Sequence, residues 1–212
     1  MSAAKKTAVI AITGTTKAGK SEAAEHLREK YPVIDVDKLG HVLYRKGSSI
    51  YNILKRKYGP VIIKKDGDIN RRILGEIIFG DRRDYWDFTC IVYPALIKAL
   101  KKEIAKIDGP IVIIDMAVLF ESGFYTKADK IIFIRAAYKE WKKRIETEAD
   151  RRYFEKIRKF QEFFPSSKKI ALSDYIVYNN GAKDELHEKV DKIMEKIRKE
   201  TYGPERTGRS RK

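Results

Sequence analysis

Cysteine is almost missing from this chain. Cys90 is the only one in 212 residues, so no intramolecular disulfide framework and no Cys-rich zinc site can be built from it. Histidine occurs three times and tryptophan twice. No apolar run approaches the roughly 20 residues that span a bilayer. The longest, such as 111–114 and 131–134, have the length of a strand. The start, Met-Ser-Ala-Ala-Lys-Lys, has neither the apolar stretch nor the cleavage site of a secretory signal. These absences together predict a soluble cytoplasmic protein with no membrane partner. Internal repeats and low-complexity linkers are absent too.

Positive charge is abundant. Lys and Arg number 46 against 30 Asp and Glu, a formal net charge of +16. Such a surplus predicts anionic partners, either nucleic acid or polyphosphate. Acidic residues are interleaved throughout, however, as in Lys139-Glu140 and 146–152, which equally fits a solvated, charge-dense surface. No nucleic-acid module is recognisable, so nucleic acid ranks below polyphosphate. Nothing in the pattern specifies an oligomer. The hydrophobic share, 43%, suffices for a packed core in one domain. That domain is expected over 7–200, with a basic, disordered tail over 201–212 that carries Arg206, Arg209 and Arg211.

Five short runs, 8–12, 33–36, 111–114, 131–134 and 175–178, are apolar and rich in Val, Ile or Tyr. Continuous apolar runs suit strands buried on both faces of a parallel sheet. Helical patterns lie between them; in the last, Leu186, Val190, Ile193, Met194 and Ile197 form one stripe after an Asn180-Gly181 turn. The alternation predicts an α/β fold, a doubly wound five-stranded parallel sheet. Residues 138–169 differ. They are crowded with charge and predict a helical hairpin that protrudes and ends near Pro165.

The motif Gly14-Thr15-Thr16-Lys17-Ala18-Gly19-Lys20-Ser21 matches G-x-x-x-x-G-K-S/T in full, between a strand and a helix. Glycines let backbone N–H groups curl around an anion, and the helix N-terminus behind adds a favourable dipole. Lys20 would place a cation on the β- and γ-phosphates of ATP, and Ser21 would hold Mg²⁺. Lys17 adds a further cation that faces the phosphates or solvent. Strand two ends in Asp35-Val36-Asp37. Ligands gather at the carboxyl ends of parallel strands. Asp37 is there either a general base for an attacking hydroxyl or the N-cap of a helix starting at Lys38. Asp115 ends strand three and is a second candidate for Mg²⁺.

From the P-loop onward the order of motifs resembles the dephospho-coenzyme A kinase family. The likeness runs through 33–37 with Leu39 and His41, through 66–74, Ile77-Ile78-Phe79, Val118-Leu119-Phe120-Glu121 and Gln161, to 173–181, and so spans about 8–197. The resemblance implies a P-loop kinase fold with a helical substrate region near 40–108 and a lid near 138–169. It implies transfer of the ATP γ-phosphoryl group to the 3′-hydroxyl of dephospho-coenzyme A, with Asp37 as base. His41 and Arg71 match the substrate side, where Arg72 competes with Arg71. Arg144 matches the nucleotide side, and Asn179 and Gly181 match the loop against adenine, although Asn179-Asn180-Gly181 is also an ordinary turn.

Three departures stand out. Tyr93-Pro94 replaces the family's His-Pro. Ala117 replaces the proline before Val118. Glu148 stands where the family's lid carries an arginine; Arg151 and Arg152 follow and could supply the cation. Two other functions fit the motif: a nucleoside or nucleotide kinase, and a basic nucleic-acid-binding P-loop protein without turnover. The 66–79 block, which a nucleotide kinase would not need, separates the first from the expected reading.

Overall fold

The computed structural model describes residues 7–161 and 164–203. Five parallel strands, β1 (Ala8–Gly14), β2 (Val33–Asp35), β3 (Ile111–Asp115), β4 (Lys130–Arg135) and β5 (Tyr175–Tyr178), make one sheet in the order β2-β3-β1-β4-β5. Central β1 pairs Ile10 with Ile113 on one side and Ile12 with Ile132 on the other. All seven of its residues are buried. Its alternation assigns two cores. Ile10 and Ile12 face α1 (Lys20–Leu27) and α9 (Lys183–Tyr202), where they meet Ala23, Ala24, Leu27, Val190 and Met194. Val9 and Ala11 face the opposite layer with Leu96, Leu100 and Phe120. Truncating a buried Ile such as Ile12 to Ala would cost about 2–5 kcal/mol.

The stripe read on α9 is buried except at Ile193, which is half-buried, and that helix runs to Tyr202, two residues into the expected tail. Residues 204–212, which hold the tail's arginines, lie outside the described residues. Strand β2 stops at Asp35, earlier than the apolar run suggests. The reason is local: the Asp35 side chain accepts from the Lys38 N–H at 2.8 Å and caps α2 (Val36–Leu43).

Between α2 and β3 the chain forms α3 (Ser49–Tyr58), α4 (Arg71–Ile78) and the long α5 (Arg82–Ile104). These close a third core around Tyr51, Leu54, Ile62, Leu74 and Val92. Ser48, Asn70 and Asp81 cap their N-termini through their side chains. Helix α5 continues through Pro94.

Beyond β4 come α6 (Tyr138–Lys143), α7 (Glu148–Gln161) and α8 (Ser166–Ala171). The sequence predicts a protruding hairpin here; instead α7 lies down on α4. Its rare apolar side chains fall on one face. Tyr153 sits edge-on to Phe79 at 6.4 Å, and Phe160 packs on Phe79 at 5.8 Å and on Tyr85 at 5.2 Å. Gly75 makes room for this, because a Cβ there would stand 2.4 Å from the Tyr153 hydroxyl. Arg72 ties to Asp150 at 3.0 Å and Lys156 to Glu76 at 3.4 Å. Mean polarity hid this face, since charge dominates the other sides of the helix. Among the described residues, no helix is long and apolar enough to cross a membrane.

Candidate active site

The P-loop leaves β1 through a backbone that only glycine can follow at its start. Gly14 has φ of 154°, and a Cβ would stand 1.9 Å from the Ile134 carbonyl oxygen. Gly19, at φ 102°, turns the loop into α1. Between them Lys17 takes φ of 58°, the one positive value outside glycine among the described residues.

The loop's carbonyls are engaged from behind. Arg144 donates to the Lys17 oxygen at 3.3 Å, the Ala18 oxygen at 3.1 Å and the Asn179 oxygen at 2.7 Å. Buried Asn179 donates through Nδ2 to the Ala18 oxygen at 2.8 Å. With carbonyls held on that side, the loop's N–H groups are available to an anion on the other. A polyphosphate therefore fits the cradle.

Two charged groups and a hydroxyl converge at its floor. Lys20 Nζ lies 3.9 Å from Asp115 Oδ1, with side-chain exposures of 11% and 8%. Ser21 stands beside the Asp115 carboxylate, whose Oδ1 has no hydrogen-bond partner among the described residues. Burial raises the Asp115 pKa above its ordinary value, opposed by Lys20 and Ser21. An orphaned carboxylate oxygen beside a hydroxyl is a donor set suited to a hard cation.

Asp37 stands across from them on the first turn of α2. The capping role belongs to Asp35, so the Asp37 carboxylate faces the cavity. It keeps contact with the cavity's solvent, yet its depth in the cleft raises its pKa; Lys20 draws it back, and Asp115 and Asp35 push it further up.

Asp37 and Lys20 line one end of a cavity of about 410 Å³, bounded by Thr16, Lys17, Tyr44, Leu74, Phe88 and the α7 residues Tyr153, Ile157 and Phe160. A volume of that order suits a small-molecule ligand. His41 and Arg71 sit together on its wall, Arg71 Nη1 donating to His41 Nδ1 at 2.8 Å. Burial and the adjacent guanidinium lower the His41 pKa. Arg72 points away, into its pair with Asp150 and over the Tyr153 ring.

The other predicted residues fall as follows. Thr15 N–H donates to the Ile134 oxygen at 3.1 Å, and Ala18 N–H to the Thr15 oxygen at 3.1 Å. Gly181 packs against the Glu185 carboxylate on α9. Arg151 and Arg152 both pair with Glu148 on α7. Neither lines the cavities beside the P-loop.

Another basic residue of α7 does. Arg158 lines a smaller cavity of about 210 Å³ with Gly14, Thr15, Arg135 and Lys169. Its guanidinium lies over Tyr138 at 5.2 Å and Trp141 at 5.6 Å. Sequence reasoning passed over Arg158, because only the distances from Tyr138 and Trp141 set it apart from its charged neighbours. It also passed over Lys169, whose Nζ meets Glu121 Oε1 at 2.5 Å with side-chain exposures of 8% and 6%.

Comparison with known proteins supplies the family. The model of the dephospho-CoA kinase family matches residues 8–185. The chain belongs to the dephospho-CoA kinase family. A dephospho-CoA kinase of Aquifex aeolicus is 31% identical over 191 residues, covering 89% of this chain and 96% of its own. One of Fusobacterium nucleatum is 31% identical over 192 residues, covering 89% and 98%. Among solved structures, TT1252 from Thermus thermophilus superposes with a TM-score of 0.72 at 24% identity, covering 91% of this chain and 99% of that one. The dephospho-CoA kinase from Campylobacter jejuni gives 0.62 at 20% identity, covering 91% and 98%. At these identities both show the fold, that of a P-loop kinase.

Proposed function

We propose that this member of the dephospho-CoA kinase family transfers the γ-phosphoryl group of ATP to the 3′-hydroxyl of dephospho-coenzyme A, giving coenzyme A and ADP. The observation that carries the reading is that Asp37 and Lys20 line the P-loop end of one acceptor-sized cavity, with Asp115 3.9 Å from Lys20 Nζ.

Asp37 accepts the proton of the acceptor hydroxyl as its oxygen attacks the γ-phosphorus, and the bond to the β-phosphate oxygen breaks. Lys20 and the N–H groups of Thr15 to Ser21, apart from those of Thr15 and Ala18, which are already bonded, balance charge on the phosphates. Ser21 and Asp115 would hold Mg²⁺, which supplies charge neutralisation at the β- and γ-oxygens when bound. His41 and Arg71 bound the acceptor. Arg144 and Asn179 fix the loop's shape on the nucleotide side, with Gly181 following in the turn. The lid cation comes from α7, where Arg151, Arg152 and Arg158 are the candidates; its cavity beside Gly14 and Thr15 favours Arg158. Such a reaction belongs in the cytoplasm, where ATP is made.

The test is ADP release with MgATP and dephospho-coenzyme A, run beside nucleosides and nucleoside monophosphates. Turnover with dephospho-coenzyme A alone is expected. Turnover with a nucleotide acceptor in its place would overturn the proposal.

A further inference from the structure

A second cavity, of about 320 Å³, adjoins the acceptor cavity along α5 and is lined by Arg82, Trp86, Thr89 and Phe164. Tyr85, Tyr93 and Glu121 line both cavities, so they form the neck between them. The tyrosine hydroxyls stand 3.4 Å apart. Burial raises the pKa of each, which keeps both as neutral donors.

Two features of this annex are open to a ligand. The Glu121 side chain is 6% exposed and pairs with Lys169 through Oε1, while Oε2 has no hydrogen-bond partner among the described residues. An orphaned buried acceptor costs about 1–3 kcal/mol, a cost that a ligand donor would relieve. Trp86, at the mouth, is 68% exposed although it is one of the largest apolar side chains available. An orphaned acceptor at the neck and an apolar surface beyond it together describe a slender ligand with an N–H near one end and apolar or thiol groups further on.

We infer that the annex receives the arm of the acceptor: the amide-containing, thiol-ended chain that a dephospho-coenzyme A molecule carries beyond its diphosphate. This rests on the acceptor proposed above. An amide N–H of the arm donates to Glu121 Oε2 at the neck, and the distal arm lies against Trp86. A compact nucleoside acceptor would leave the annex empty, so the annex is also a specificity device for long acceptors.

The experiment pairs kinetics with tryptophan emission. Trp86→Ala is an exposed substitution and should fold. It should lower kcat/KM for dephospho-coenzyme A about tenfold, by loss of an aromatic contact, and leave the KM for ATP unchanged. The Trp86 contribution is the wild-type emission less that of Trp86→Phe, which keeps Trp141 beside the P-loop; dephospho-coenzyme A should shift it, whereas ADP, which has the diphosphate and 3′-hydroxyl but no arm, should not. Normal kcat/KM in Trp86→Ala, with the wild type turning over, would overturn the annex and leave the kinase reading standing. Absence of wild-type turnover would overturn the kinase reading. The annex would then be judged by emission alone: a Trp86 response to dephospho-coenzyme A but not to ADP supports it, and no response overturns it.

Discussion

Replacing Lys169 by Met should be among the most damaging single changes outside the P-loop. Lys169 comes from the short helix α8, and Glu121 from the segment after β3. Their side chains are 8% and 6% exposed, and Nζ lies 2.5 Å from Oε1. Met keeps most of the volume, so the loss is electrostatic. It leaves the Glu121 carboxylate buried with neither oxygen partnered by a described residue, since Oε2 already has no partner. Removing one partner of a buried pair costs about 3–5 kcal/mol. For a domain of this size each kcal/mol moves Tm by about 2–4 °C, so a drop of roughly 6–20 °C is expected. Urea unfolding followed by far-ultraviolet circular dichroism gives the free energy directly. Adding Glu121→Gln to the Met variant removes the stranded charge and should recover more than half of the loss. A Met variant within 1 kcal/mol of wild type would refute the claim that the pair is buried and unshared, as would a double mutant no better than the single.

Asp37→Asn should lower kcat by about 10²–10⁴-fold while ATP affinity, measured by calorimetry, holds; near-normal turnover removes Asp37 from the role of base. The raised pKa of Asp37 gives a sign for pH dependence. The base must be ionised, so kcat should fall on acidification through a limb above the ordinary carboxylate range, and a flat profile down to that range would contradict it. Arg158→Ala should cost about 10²-fold in kcat, with partial rescue by added guanidinium, whereas Arg151→Ala and Arg152→Ala should cost far less. Steady-state rates on the three variants rank the candidates. Gly14→Ala should abolish nucleotide binding, because its Cβ meets the Ile134 carbonyl at 1.9 Å; retained ATP affinity would show that the loop can be rebuilt.

The sheet was legible because its strands are apolar on both faces, a pattern few other elements share. The P-loop was legible because its function dictates both residue type and spacing. Boundaries were harder. The apolar Val36 reads as strand, yet the Asp35 cap has already begun α2 there. That same cap decides a question open in the sequence, since one aspartate takes the helix and frees the other for the cavity. Residues whose roles depend on distant partners were invisible. Glu121 appears in a recognisable run, but nothing local says that Lys169, 48 positions on, will meet it. Arg158 is one of several basic residues on α7 until two aromatic rings from α6 single it out.

The grip of α7 on α4 has a kinetic side. Part of it is made by Arg72 with Asp150 and Lys156 with Glu76, pairs at the surface whose side chains are 36–50% exposed. Such pairs weaken as salt shortens the Debye length from about 10 Å at 0.1 M to 3 Å at 1 M. The aromatic contacts of Tyr153 and Phe160 are untouched by salt. Ionic strength should therefore act as a dial on how long α7 stays on α4, and where product escape limits the cycle, moderate salt should quicken turnover before it begins to strip the phosphates from the loop.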